Sequence, residues 1–269
     1  MRSERYGWRF ILVLILAWTV LIYLFLPIFI AAPISLNPDR YLLMPRGEYS
    51  LRHYETLFTS PKWLSSIWQS LVIAVSATAI AAVTGSLAAV GIWRLASRLG
   101  ETLRAFILLP MIVPSIVSGL VFFRIFVDLG LLDSIPGVIL AHAVLASPYV
   151  VITVSTSLAG FDLKLEQAAR NLGASMRQTI RLVILPNIMP GVLSGAVFAF
   201  ILSWDEIVVT LFISKLNVFT VPRRMWDGIR EQADPTIAAC ATTLILLTFA
   251  TILMYLIFQR ANARKARPA

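Results

Sequence analysis

The chain has 269 residues, of which 58% are hydrophobic and 14% are charged, and its mean hydropathy is +0.82. This composition indicates a membrane protein, because a hydrocarbon core of ~30 Å requires about 20 apolar residues in each crossing helix. The net charge of +9 does not indicate a nucleic-acid partner, since the basic residues fall on alternate loops, and the one cysteine, Cys240, excludes an intrachain disulfide.

Six apolar runs with few or no charged residues predict six transmembrane helices. They cover, in chain order, residues 10–36, 67–93, 103–127, 135–159, 188–213 and 236–259. The first run follows three arginines, as in a signal peptide, but it is far longer than the ~7–15 apolar residues of such a peptide. It therefore predicts an anchored helix, and we expect residues 1–269 to form one all-α polytopic transmembrane domain.

Prolines and small residues mark particular places in these runs. Pro110 and Pro114 in the third run, and Pro148 in the fourth, predict kinks, which a bundle tolerates because neighbouring helices satisfy the freed carbonyls. Gly191 and Gly195 recur at helical spacing in the fifth run, and they predict a face on which two helices approach closely.

The distribution of lysine and arginine predicts the orientation in the membrane. Fourteen basic residues fall on the two tails and on the second and fourth loops: Arg2, Arg5, Arg9, Arg94, Arg98, Arg104, Lys164, Arg170, Arg177, Arg181, Arg260, Arg264, Lys265 and Arg267. Eight fall on the other side, where acidic residues balance them: Arg40, Arg46, Arg52, Lys62, Lys215, Arg223, Arg224 and Arg230. The positive-inside rule then places both tails and residues 163–186 in the cytoplasm, and residues 41–61 and 217–232 outside.

The loop of residues 160–186 carries the most distinctive pattern. Its first half reads Glu-Gln-Ala-Ala-Arg-Asn-Leu-Gly from Glu166 to Gly173, and its second half ends in Leu185-Pro186. We expect two short helices, because a glycine can adopt a positive φ where the chain reverses and a proline stops a helix. The pattern resembles the Glu-Ala-Ala (EAA) coupling loop of ATP-binding-cassette importer permeases, which docks into a separate ATPase subunit.

The resemblance implies which residues couple the chain to the ATPase. They are Glu166, Ala168, Ala169, Gly173, Leu185 and Pro186, and Gln167 stands where the family has its first alanine. We expect Glu166 to be exposed enough to meet a basic or hydrogen-bonding surface on the ATPase. A merely solvated helix face is the alternative for this acid.

Three further segments, residues 49–58, 203–209 and 221–239, resemble permeases of the spermidine/putrescine type, and the likeness covers roughly residues 8–260. It implies a type I importer permease fold, with this chain as the second of two permease subunits in a heterodimer. It also implies two copies of a cytoplasmic ATPase, an external solute-binding protein and a bacterial cytoplasmic (inner) membrane location. Because the family serves other solutes, import of a polyamine, an amino-acid derivative or a phosphonate remains open.

Enzymatic chemistry is not indicated. None of the four lysines follows a glycine, so there is no Walker-type phosphate loop and ATP hydrolysis is expected in another chain. His53 and His142 are far apart and lack a cysteine partner, so we expect neither a metal site nor a cofactor, and we expect His142 to be a hydrogen-bonded packing residue. A transporter driven by an ion gradient remains an alternative, whereas an intramembrane enzyme would lack any nucleophile constellation.

Four ionisable residues in or near the runs are candidates for the translocation path. Charges within a membrane cost ~2.5–3.5 kcal/mol each and usually face a cavity or a partner. Arg124 is expected to pair with Asp128 one turn later or with Asp205 on another helix, or to line the path itself. On a continuous helix Asp205 and Glu206 would point about 100° apart, so at least one acid is expected to line a water-filled vestibule.

Overall fold

The computed structural model describes residues 8–231 and 234–265, and within them every regular element is a helix. In chain order the helices are α1 (Trp8–Ser35), α2 (Arg52–Thr59), α3 (Pro61–Leu95), α4 (Arg98–Ile112), α5 (Ser115–Leu129), α6 (Ile135–Ala159), α7 (Leu163–Asn171), α8 (Met176–Thr179), α9 (Leu185–Asp205), α10 (Val208–Ile213), α11 (Val221–Glu231) and α12 (Thr236–Lys265). The tail cations Arg2, Arg5 and Arg267, and Gln232 at the end of an outer loop, lie outside the described residues.

The helices account for most of the predicted spans. In the described ranges, four are long and apolar enough to cross a membrane: Phe10–Ser35, Pro61–Leu95, Ile135–Ala159 and Met176–Asp205. The bent pair α4 and α5 makes a fifth if it is one broken span, and the apolar part of α12, Thr236–Thr251, is shorter. The exact count of six spans stays a prediction.

The prediction that residues 103–127 form a single kinked helix is wrong. Helix α4 ends at Ile112, α5 begins at Ser115, and their axes differ by 106°. Pro114 is the cause, because its ring disfavours the helical conformation at the preceding residue, and Val113 is accordingly extended with φ −74° and ψ 128°.

The fifth predicted span, residues 188–213, is also interrupted. Helix α9 ends at Asp205, and Glu206 is extended with φ −71° and ψ 113° before α10 begins at Val208. The Glu206 carboxylate caps α10 by accepting the backbone N–H of Val209 at 2.9 Å. Asp205 and Glu206 are therefore not neighbours on one continuous helix.

The chain divides into two compact units, one formed by Met1–Leu64 with Met225–Ala269 and the other by Ser65–Arg224. In the described part of the first, α1 packs along α12, with the rings of Phe25 and Phe249 6.4 Å apart. The single transmembrane domain expected from the sequence stays a prediction.

The core of the second unit lies between α6 and α9. Val150 and Val154 of α6 are fully buried, together with Ala199 of α9. The two helices approach closely at the predicted small-residue face, where a Cβ added to Gly195 would lie 2.8 Å from the Val150 Cα atom. Such close contact maximises dispersion attraction, on which helix association in lipid depends.

Candidate functional site

The coupling loop begins with α7 and reverses at Gly173. Asp162 accepts the N–H of Lys164 at 2.9 Å and caps the helix. At the other end Gly173 has φ +85°, and its N–H is bonded to the Arg170 carbonyl at 2.9 Å, while that of Ala174 is bonded to the Ala169 carbonyl at 3.1 Å. These two bonds form a Schellman motif, so the predicted positive-φ reversal at Gly173 is confirmed.

The second half of the loop runs directly into the membrane helix. Ser175 and Gln178 form a reciprocal capping box at the start of α8. A π-helical turn, Ile180–Ile184, then joins α8 to α9, so Leu185-Pro186 does not end a helix as predicted from the sequence. In the π turn the Leu185 N–H donates to the Ile180 carbonyl, five residues earlier, so the helix is wider just before Pro186. The wider turn lets the helix continue through a proline that would otherwise end it.

Glu166 faces inward, which contradicts the expectation that it would be exposed. The residue is only 6% exposed, and its Oε1 atom accepts a hydrogen bond from Arg94 Nη1 at 2.6 Å. Arg94 lies on the last turn of α3, a helix that the sequence did not connect to this loop. The acid is thus part of a contact within the chain, and its role in ATPase coupling stays a prediction.

The exposed surface of the coupling loop carries apolar side chains as well as basic ones. Leu172, next to the reversal, is 90% exposed, and Leu165 and Met176 are 45% and 44% exposed. Four of the predicted coupling residues are exposed as well, namely Ala168, Gly173, Leu185 and Pro186, and Ala169 is half-buried. Clustered apolar residues on a polar loop indicate a protein interface.

A cavity of about 320 Å³ lies beside the break between α9 and α10. Its lining combines two acids with aromatic and aliphatic side chains: Tyr149, Phe198, Ile201, Leu202, Asp205 and Glu206. The rings of Tyr149 and Phe198 are stacked, with centroids 6.4 Å apart. Within the described part of the chain the Asp205 carboxylate makes no hydrogen bond or ion pair, whereas Glu206 caps α10.

Arg124 does not belong to this cavity. Its Nη1 atom donates to Asp128 Oδ1 at 3.0 Å, and the two side chains are 74% and 62% exposed. The predicted pair one turn apart is therefore present, and the alternative pair with Asp205 is not formed in this structure.

His142 is a buried connector between three helices. It is fully buried on α6, with Nδ1 at 2.9 Å from Ser203 Oγ on α9 and Nε2 at 3.0 Å from Thr210 Oγ1 on α10. The expected hydrogen-bonded packing role is confirmed, but no sequence pattern indicated that its partners flank the break at Glu206. Among the described residues no group of three or more His, Cys, Asp or Glu could hold a metal ion.

Asp133, which sequence reasoning did not single out, fixes the turn after α10. Its carboxylate accepts the backbone N–H groups of Lys215 at 2.9 Å, Leu216 at 3.0 Å and Asn217 at 3.0 Å. Partial burial raises the pKa of Asp133, but these donors outweigh it and hold the pKa below its usual 3.8.

Comparison with known proteins extends these observations. Residues 81–268 match the model of the family described as binding-protein-dependent transport system inner membrane component. The spermidine/putrescine transport system permease protein PotC of Haemophilus influenzae is 32% identical over 254 residues, which cover 94% of this chain and 98% of that protein. A probable molybdenum ABC transporter permease protein of Haloferax volcanii is also 32% identical, over 90% of this chain and 88% of its own length.

A solved structure has the same fold at much lower identity. The matching chain comes from a bacterial ABC transporter involved in the import of the acidic polysaccharide alginate. The TM-score is 0.72 at 15% identity, and the match covers 97% of this chain and 98% of that one. The fold of this chain is therefore a known architecture.

Proposed function

We propose that this chain, which belongs to the family of binding-protein-dependent transport system inner membrane components, forms the polyamine-conducting half of an ATP-driven importer. Membership confirms the resemblance drawn from the loop, and the chain is a multi-pass inner-membrane permease subunit with an all-α importer fold. This assignment takes precedence over the alternative of a transporter driven by an ion gradient.

The Asp205 carboxylate, which has no hydrogen-bond or ion-pair partner among the described residues, is the observation that carries the choice of solute. It opens onto the cavity whose walls include the stacked rings of Tyr149 and Phe198. A polyamine is an alkyl chain with ammonium groups, which a carboxylate neutralises and an aromatic face attracts. Glu206 adds negative charge to the same cavity while it caps α10. Arg124, held by Asp128, contributes no competing cation there.

The coupling loop supports the proposed partners. Its exposed Leu165, Leu172 and Met176 form an apolar surface suited to a groove on a separate ATPase. The continuous stretch from α8 to α9 would carry a movement of that surface into the membrane helix that ends at Asp205. We infer two ATPase copies, a second permease subunit and an external solute-binding protein, with both tails of this chain in the cytoplasm.

Import of an oxyanion is the second candidate, because one relative with the same identity is described as a probable molybdenum permease. An anion would meet the Asp205 carboxylate without a described cation in the cavity lining, which electrostatics disfavours. The alternatives of a phosphonate and an amino-acid derivative meet the same objection at their anionic groups.

Uptake by cells that express the complete transporter tests the proposal. We expect ATP-dependent uptake of labelled putrescine or spermidine, no uptake of molybdate, and loss of transport when the ATPase carries an inactivated nucleotide site. Asp205→Asn should lower polyamine uptake about tenfold or more with the complex still assembled, which corresponds to a lost interaction of about 1.4 kcal/mol or more. Molybdate uptake, or polyamine uptake unaffected by Asp205→Asn, would contradict it.

A further inference from the structure

The last turn of α3 contacts the coupling loop at two points. The Trp93 ring meets Phe161 edge-on, with centroids 6.0 Å apart, just before α7. One residue later, Arg94 Nη1 donates to Glu166 Oε1 at 2.6 Å on α7 itself, and the Arg94 guanidinium lies 4.9 Å from the centre of the Trp93 ring. Two adjacent residues of α3 thus hold both the entry to the loop and its first helix.

This contact is placed differently from the other attachments of the loop. Helices α6 and α9 are joined to the loop by the chain itself, so that they follow its movement through covalent connection. Helix α3 has no such covalent connection: it contacts the loop through Trp93 and Arg94 of its last turn, and 72 residues separate Arg94 from Glu166. These side chains therefore give α3 a direct contact with the loop, in addition to its packing against α6, where a Cβ added to Gly85 would lie 2.8 Å from the Val150 Cβ atom.

The ion pair is also incompletely bonded. Arg94 Nε, Arg94 Nη2 and Glu166 Oε2 are buried, and none has a hydrogen-bond partner among residues 8–231 and 234–265. A guanidinium and a carboxylate can form two parallel hydrogen bonds, whereas only one is made here. Because unsatisfied buried polar atoms are costly, a second hydrogen bond between the two groups would stabilise the pair.

We propose that Arg94 is a positioning residue that links α3 to the coupling loop, so that ATP-driven movement of the loop is transmitted to α3 as well as to α6 and α9. The inference rests on the proposed function, because it requires the loop to move with the ATPase. Glu166 then acts chiefly through Arg94, while the exposed leucines contact the ATPase. The contact differs between two states of the loop, which is the physical requirement for transmission.

The test uses the purified complete complex in liposomes, with ATP hydrolysis and solute uptake measured on the same samples. Arg94→Gln should assemble with the ATPase and retain basal hydrolysis. Stimulation of hydrolysis by the loaded binding protein, and solute transported per ATP, should each fall at least about fivefold, the low end of ordinary coupling between sites. Arg98→Gln is the matched control, because Arg98 is an exposed cation only four residues later, at the start of α4.

Two further variants distinguish a role of Arg94 in transmitting loop movement from a role in the stability of the complex: a charge reversal of the pair and a conservative change of Arg94. The double variant Arg94→Glu with Glu166→Arg should recover much of the lost stimulation. Arg94→Lys should retain only part of it, because an ammonium keeps one charged hydrogen bond to Glu166 but cannot form two parallel ones. If Arg94→Gln fails to assemble, Glu166→Gln gives the same measurement, since it keeps the shape and an acceptor for Arg94. Coupling within twofold of the parent in the assembled neutral variants would overturn the proposal.

The outcome is distinguishable from failure of the proposed function. If the parent complex transports without ATP, the importer assignment fails before any variant is compared. If the parent transports with ATP and the neutral variants remain fully coupled, the importer assignment stands and only the role of Arg94 is wrong.

Discussion

Asp205 and Glu206 are adjacent in the sequence, but their carboxylates are in different chemical situations. Glu206 accepts the N–H of Val209 and so forms part of the start of α10. Asp205 makes no such bond within the described residues and faces the cavity with Tyr149 and Phe198. The sequence placed both acids on one helix, and it could not separate their roles because the break between them is made by side-chain bonds.

His142 gives the first prediction at this scale. His142→Leu would leave the buried Ser203 hydroxyl without a described partner, at a cost of about 1–3 kcal/mol, whereas Thr210 Oγ1 would keep its hydrogen bond to the Glu206 carbonyl at 3.2 Å. We expect a lower unfolding temperature of the detergent-solubilised complex. Adding Ser203→Ala and Thr210→Val to His142→Leu should restore part of the loss, because no polar group is then stranded. No recovery in the triple variant would show that the ring packs by shape alone.

Asp133 predicts how stability depends on pH. Because the folded-state pKa is lowered, the bonds to Lys215, Leu216 and Asn217 stabilise the fold above the unfolded pKa of about 3.9, and this contribution is lost as pH falls through the folded value. The unfolding temperature should therefore drop on acidification below about pH 4. In Asp133→Asn the drop should be smaller, because the part that comes from protonation of Asp133 is absent. Asp128→Asn, at an exposed acid, is the control. An unchanged acid profile in Asp133→Asn would contradict the assignment.

At the scale of elements, hydropathy predicted where helices lie better than where they break. The fourth run, residues 135–159, coincides with α6, and the first run lies within two residues of α1 at either end. The break at Val113 could have been anticipated from Pro114, whose effect on the preceding residue is local. The break at Glu206 involves neither glycine nor proline, and the side-chain hydrogen bonds that span it come from His142 on another helix, so no local pattern indicates it.

The close approach of α6 and α9 gives a prediction for packing. Gly195→Ala would put a methyl group 2.8 Å from the Val150 Cα atom, which is backbone and cannot turn aside, so we expect a loss of about 1–3 kcal/mol in stability. Gly91→Ala on α3 is the matched control, because no described atom lies within 4 Å of its added Cβ and alanine favours a helix by about 0.5–1 kcal/mol. Thermal unfolding of the purified protein should rank the two variants on opposite sides of the parent.

The coupling loop gives a prediction for assembly. Gly173→Val forces a β-branched residue into φ +85°, at a cost of about 1–2 kcal/mol, and should open the Schellman motif that presents Leu172. Co-purification with the ATPase and ATP-dependent uptake should both fall, whereas Gly173→Asn should retain most of each, since asparagine tolerates a positive φ. Full assembly of Gly173→Val would mean that the reversal does not shape the docking surface.

At the scale of the whole molecule, the sequence anticipated the family, the helical class and the loop, but not how the loop is held. The Glu-Ala-Ala pattern identified residues 160–186, yet Glu166 is buried against Arg94 rather than exposed. Spacing along α7 shows which residues share a helix face, but not which face another helix covers. That information depends on the end of α3, 72 residues away in the chain from Glu166.

Orientation in the membrane is the remaining prediction, and it follows from the asymmetry of lysine and arginine between the two sets of loops. Cys240 is first replaced by serine, and single cysteines are then placed at Gln167 and at Glu48, both exposed. Gln167 is preferable to Ser175, which caps α8. In intact cells an impermeant thiol reagent should label Glu48→Cys at once and Gln167→Cys only after the membrane is opened. Labelling of Gln167→Cys from outside would place the coupling loop away from ATP, and the proposed importer mechanism would then fail with the topology.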